Sequence, residues 1–80
     1  MDIGWAVAEL KSGRIVRRPS WNGKNMHLTL STPGGGMLPF VTMRTAQGAW
    51  QPGWVCSQAD LLADDWESAE PADAPQDPSV

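Results

Sequence analysis

Three short stretches place aromatic rings beside hydrogen-bonding and charged groups. The first is Trp21-Asn22-Gly23-Lys24, an indole next to a tight-turn signal and an ammonium. The second is Arg17-Arg18, stopped by Pro19; arginine beside a pocket is a common clamp for phosphate oxygens. The third is Trp54 followed by Ser57-Gln58-Ala59-Asp60, whose amide and carboxylate groups can read amines and hydroxyls. Aromatic faces at turn edges stack purine and pyrimidine rings. Each residue also has a plainer use. Asn22-Gly23 forms turns, lysine is usually solvated, arginine lies along tryptophan, and Ser57 caps a helix. Filling a core or an interface is the commoner use of any single tryptophan.

Catalytic chemistry finds little support. His27 is the single histidine and has no serine or cysteine motif beside it. Cys56 precedes a helix start, where a thiol pKa can fall, but a lone cysteine is more often a buried small side chain. With one cysteine and one histidine, neither an internal disulfide nor a Cys/His zinc site can be assembled. Asp64-Asp65 has no third ligand type nearby, and Gly34-Gly35-Gly36 lacks the ending of a phosphate loop. Enzyme readings are therefore weak, and no cofactor or metal is expected.

The totals narrow the ligand. The chain has 80 residues and a net charge of −3. A surface for long nucleic acid is dense in positive charge, so that class is excluded. The charges are segregated, however. Lys11, Arg14, Arg17, Arg18, Lys24 and Arg44 all precede Asp60, and every charge from Asp60 onward is acidic. A small anion suits that first part. No apolar run is long enough for a membrane span, and the lone thiol fits a reducing compartment, so the expected location is cytoplasmic. So short a chain buries a modest core and gains from self-association.

The elements that must position these residues follow from periodicity. Asp2 caps a first helix that Gly13 ends, with Ile3, Ala6, Val7 and Leu10 on one face. Trp5 lies off that stripe, and an exposed indole there points to a subunit contact. Residues 14–18 read as a strand, and Asn22-Gly23 turns it into a second strand over residues 26–31. There Met26, Leu28 and Leu30 alternate with His27, Thr29 and Ser31. A third strand covers residues 40–44 and a short fourth covers 49–51. Ser57 and Asp60 open a short second helix, and the chain leaves it near Ala63 so that Trp66 enters a last extended segment. The expected fold is a small α+β domain over residues 1–68. It has an antiparallel sheet of four to five strands and two short helices, and it is homo-oligomeric. Residues 69–80, rich in Pro, Ala and Asp, read as a disordered acidic tail.

Taken in order, several of these features form one pattern. It runs from a helix ending in Gly13 to Arg18, Trp21-Asn22-Gly23-Lys24, Met26, Met43, Gly48 and Trp54. It closes on Ser57-Gln58-x-Asp60-Leu61-Leu62-Ala63-x-Asp65-Trp66. Over about residues 3–68 this resembles a family of very small phage and prophage proteins, long catalogued as a domain of unknown function, that includes the second type of Thoeris anti-defence protein. The resemblance implies a protein that captures a cyclic nucleotide-type immune signal, glycocyclic ADP-ribose, without cleaving it. Some relatives also hold cyclic oligonucleotides at a separate site. It further implies homo-oligomers, tetramers above all, with pockets between subunits. Carried over by position, Arg18, Trp21, Asn22, Lys24, Trp54, Gln58 and Asp60 are the residues expected near a pocket, while Asp65 and Trp66 look structural. The connection from Thr32 to Pro39 is shorter than in many relatives, and the acidic tail has no counterpart. The alternative function is a phage interaction module that grips a host protein directly, through Trp5 and the acidic tail.

Overall fold

The computed structural model describes residues 1–21 and 26–69. The expected Asn22-Gly23 turn and the tail from residue 70 lie outside the described residues. Helix α1 spans Ile3–Lys11, and the Asp2 carboxylate accepts the Trp5 backbone N–H at 2.9 Å, as an N-cap should. Gly13, with φ of +89°, takes the chain out of the helix through a left-handed conformation. Ala6 and Leu10 are buried, and Ile3 packs beside them. Val7, expected on this stripe, is 40% exposed. Trp5 is less exposed than expected: it is half-buried and packs against the core.

Five strands form one antiparallel sheet in the order β4-β3-β2-β1-β5. These are β1 (Val16–Arg17), β2 (His27–Ser31), β3 (Phe40–Arg44), β4 (Trp50–Pro52) and β5 (Glu67–Ser68). Strand β1 is shorter than residues 14–18 because the Arg14 N–H donates to the Glu9 carbonyl at 3.0 Å, which keeps that residue in the helix exit. The sequence pairs β1 with β2 as expected, Val16 opposite Leu28. Helix α2 is a single turn, Gln58–Leu61, between β4 and β5.

One sheet face carries the apolar core. Val16, Leu28 and Trp66 are buried against Ala6 and Leu10, with Leu30, Val41 and Met43 packed around them. The opposite positions of β2 are equally covered. His27, Thr29 and Ser31 are each at most 1% exposed, as is Leu28, so the polar half of the alternation is interior too. There Ser31 and Thr42 share a hydroxyl–hydroxyl hydrogen bond of 2.7 Å, and the His27 ring meets Trp50 edge-on at 5.7 Å. At the far edge, the Ala69 N–H donates to the Ile15 carbonyl at 3.0 Å, just past the β1–β5 pairing.

Candidate functional site

The site grows from the cap of α2. Ser57 is the N-cap: its hydroxyl accepts the Asp60 N–H at 3.1 Å and donates to Asp60 Oδ2 at 3.0 Å. That fixes the carboxylate so that Oδ1 faces the other half of the chain. Arg18, one residue beyond β1, donates from Nη1 to Asp60 Oδ1 at 2.8 Å and from Nε to Asp65 Oδ1 at 2.7 Å. Nη2 makes a longer bond to Asp65 Oδ2, 3.4 Å. The Trp21 indole N–H also donates to Asp60 Oδ1, at 3.3 Å. A single carboxylate thus joins the β1–β2 connection to the cap of α2.

Three indoles pack beside this network. Trp66 is 2% exposed and gives its ring N–H to the Asp60 carbonyl at 3.0 Å. Trp21 lies edge-on to it, with centroids 5.4 Å apart, and Trp54 lies edge-on at 6.2 Å. Trp21 and Trp54 are 6.5 Å apart and tilted. Such edge-to-face geometry is the favoured arrangement of aromatic quadrupoles. Trp66 anchors the group, and Trp21 is held against it with part of its surface free.

Hydrogen bonds to Asp65, then to Asp60, raise the Arg18 guanidinium further above its already high pKa, against a smaller opposing effect of burial. The same Arg18 bond holds the Asp65 carboxyl below the usual carboxylate range. The Cys56 thiol moves upward, through burial first and the Asp60 charge second. Cys56 is half-buried, and the single turn of α2 begins just after it.

Beside Trp21 opens a cavity of about 200 Å³, lined by Arg17, Arg18, Pro19, Trp21, Met26 and Glu67. Arg17 and Glu67 face each other across β1 and β5 and form an ion pair of 3.2 Å. The lining offers an indole and a thioether for a flat apolar group and two guanidinium groups for an anion. Among the described lining residues there is one carboxylate and no hydroxyl, thiol or imidazole. Among the described residues no cluster of three His, Cys, Asp or Glu side chains could hold a metal.

The seven residues expected near a pocket separate into groups. Arg18 and Trp21 line the cavity, and Asp60 bonds to both. Trp54 stands behind Trp21. Gln58 is exposed on α2 and makes no side-chain hydrogen bond among the described residues. Asn22 and Lys24 lie outside the described residues. Arg17, weighed with Arg18 as a phosphate clamp, lines the cavity, and Pro19, Met26 and Glu67 line it without having been singled out for it. Pro19 and Met26 flank the Trp21 segment in sequence and could have been named from that alone. Glu67 could not, because its place depends on the pairing of β5 with β1.

The profile of the Thoeris anti-defense 2-like domain matches residues 1–69. The chain belongs to this family. Thoeris anti-defense 2 of Bacillus phage SP01 is 35% identical over an alignment 83 positions long, gaps included, which covers 84% of this chain and 92% of that protein. The Thoeris anti-defense 2-like span takes in every element of the sheet, both helices and all residues of the indole–carboxylate network. No helix among the described residues is long and apolar enough to cross a membrane.

Proposed function

We propose that this protein is a phage anti-defence protein that binds and sequesters a cyclic nucleotide immune signal, with glycocyclic ADP-ribose as the first candidate, and does not cleave it. Cyclic oligonucleotides are the second ligand class. The observation that carries this reading is the cavity beside Trp21. It joins a rigidly backed indole to guanidinium groups, the pair of contacts that a base and a phosphate require. Family membership supplies the biological setting. The protein then works in the cytoplasm of the infected bacterium, where such a signal is made.

Sequestration requires tight binding. A nanomolar dissociation constant corresponds to about −12 kcal/mol. Pockets that enclose small-molecule ligands usually have roughly 300–1,000 Å³. The cavity beside Trp21, about 200 Å³ among the described residues, is smaller than that. We therefore place the complete pocket between copies of the chain, in a homo-oligomer, with a tetramer as the expected assembly. The alternative, a direct host-protein partner, loses one of its supports because Trp5 packs on the core.

The test is calorimetric titration of the protein with glycocyclic ADP-ribose and a panel of cyclic di- and trinucleotides. Heating and chromatography of the released ligand follow, and the mass of the free and bound protein is measured by light scattering. Tight binding, intact release and an oligomer are the expected results. Absence of binding to every member of the panel refutes sequestration, and a cleaved product refutes the non-catalytic reading.

A further inference from the structure

Two arginines face the cavity, and they are not equivalent. Arg18 is spoken for: Nε, Nη1 and Nη2 all donate to Asp60 or Asp65, and its side chain is 16% exposed. A ligand that took it would break the network holding Trp21. Arg17 makes a single hydrogen bond among the described residues, from Nε to Glu67 at 3.2 Å, and the two side chains are 43% and 41% exposed. Its Nη1 and Nη2 groups therefore keep their donors for something else.

We propose that Arg17 is the anion-binding residue of the cavity and that Glu67 is its internal competitor. This deepens the sequestration reading and rests on it for the identity of the ligand. In the free protein Glu67 holds the guanidinium at the cavity rim. An exposed ion pair of this kind has little net strength, because water and salt screen it and both side chains lose freedom. A phosphate or diphosphate offers several charged oxygens in the fork geometry that guanidinium matches, and so displaces a single carboxylate contact. The exchange is local. Arg17 and Glu67 are fixed by cross-strand pairing, so only side chains turn and the sheet is undisturbed.

This arrangement sets opposite signs for the two partners. Removing Arg17 weakens anion binding, whereas neutralising Glu67 frees the guanidinium and strengthens it. A purely structural ion pair predicts the same sign for both, a lower melting temperature and no gain in binding.

The experiment titrates full-length wild-type protein, Arg17→Ala, Arg17→Lys and Glu67→Gln with inorganic pyrophosphate and with the cyclic nucleotide panel, alongside thermal melts. The expected results are a loss of roughly tenfold or more for Arg17→Ala, which removes a charge-assisted contact. Retention is partial in Arg17→Lys, which keeps a point charge without the fork. A gain of about two- to fivefold is expected for Glu67→Gln, the scale of an exposed ion pair. The inference is overturned if Arg17→Ala binds as wild type, if Glu67→Gln binds no more tightly than wild type, or if the wild type binds neither probe. Pyrophosphate binding that depends on Arg17, with no affinity for any nucleotide, removes the sequestration reading and leaves Arg17 standing. Nucleotide binding that ignores Arg17 does the reverse.

Discussion

Replacing Trp21 separates a ligand wall from a packing residue, provided that stability and binding are both measured. Its ring packs on Trp66 and Trp54, and its N–H donates to Asp60 at 3.3 Å. Truncating a fully buried aromatic residue costs about 3–5 kcal/mol. Trp21 is half-buried, so Trp21→Ala is expected to cost about 2 kcal/mol for packing, with the long hydrogen bond adding under about 1 kcal/mol. An 80-residue domain has about 4–12 kcal/mol in total, so the variant remains folded at low temperature. Its melting temperature falls by about 10–20 °C. Loss of a stacked base contributes a further, separate effect of about 1–3 kcal/mol on binding, or roughly 5- to 150-fold. Trp21→Phe keeps a ring against Trp66 and a face toward the cavity, so its binding falls by less than about tenfold. The assay is calorimetric titration at a temperature where melts show each variant folded. Wild-type affinity in Trp21→Ala refutes the wall. An equal loss in both variants refutes the stacking argument and assigns the effect to the Asp60 hydrogen bond.

Two further outcomes test the interior and the ion-pair network. Thr29 Oγ1 is buried without a hydrogen-bond partner, so Thr29→Val, which keeps the shape, is expected to stabilise the protein by about 1 kcal/mol and raise its melting temperature by about 4–8 °C. A lower melting temperature contradicts that reading of the hydroxyl. Asp65 has its folded pKa depressed by Arg18, so its contribution is full above the unfolded value, about 3.9, and is lost as pH falls through the lower folded value. In melts from pH 7 to pH 2, wild type should exceed Asp65→Asn at neutral pH, and the gap should close below about pH 4; a constant gap rejects the assignment.

Local signals were legible where one chemical device decides the outcome. The Asp2 and Ser57 caps, the left-handed exit at Gly13 and the extended segment after Trp66 are of this kind, since each depends on a few adjacent residues. The short β1 was less legible, because Arg14 answers to a carbonyl one turn back in α1. The burial of His27, Thr29 and Ser31 was not legible from alternation at all. Period two says which side chains share a face, but it does not say whether the polar face is covered. At the site, Arg18, Trp21 and Asp60 could be grouped from the family pattern, yet their mutual hydrogen bonds could not. The cross-strand meeting of Arg17 with Glu67 needs the register of an edge strand two residues long, and no periodicity specifies that.

Among the described residues, much of the family pattern is engaged in internal bonds and Trp21 of it also keeps a surface for the cavity, which bears on how such a small protein could hold a ligand tightly. Arg18, Asp60, Asp65 and Trp66 are mutually satisfied, through the Asp60 carboxylate and carbonyl and the Arg18 fork. Their work is to fix the Trp21 indole and close α2 onto β1 without a disulfide or a metal. Among the described residues, what the cavity beside Trp21 then offers a ligand is part of one indole face and one weakly engaged arginine. Those two contacts are worth about 1–3 and about 1.5–3 kcal/mol. Their sum, about 2.5–6 kcal/mol, is at most half of the roughly 12 kcal/mol that nanomolar capture requires. Contacts of the same kind from a second chain would close that difference without disturbing the network that holds Trp21 in place. That shortfall is the reason we propose a pocket built by two copies of the chain, and light scattering of the free and bound protein tests it.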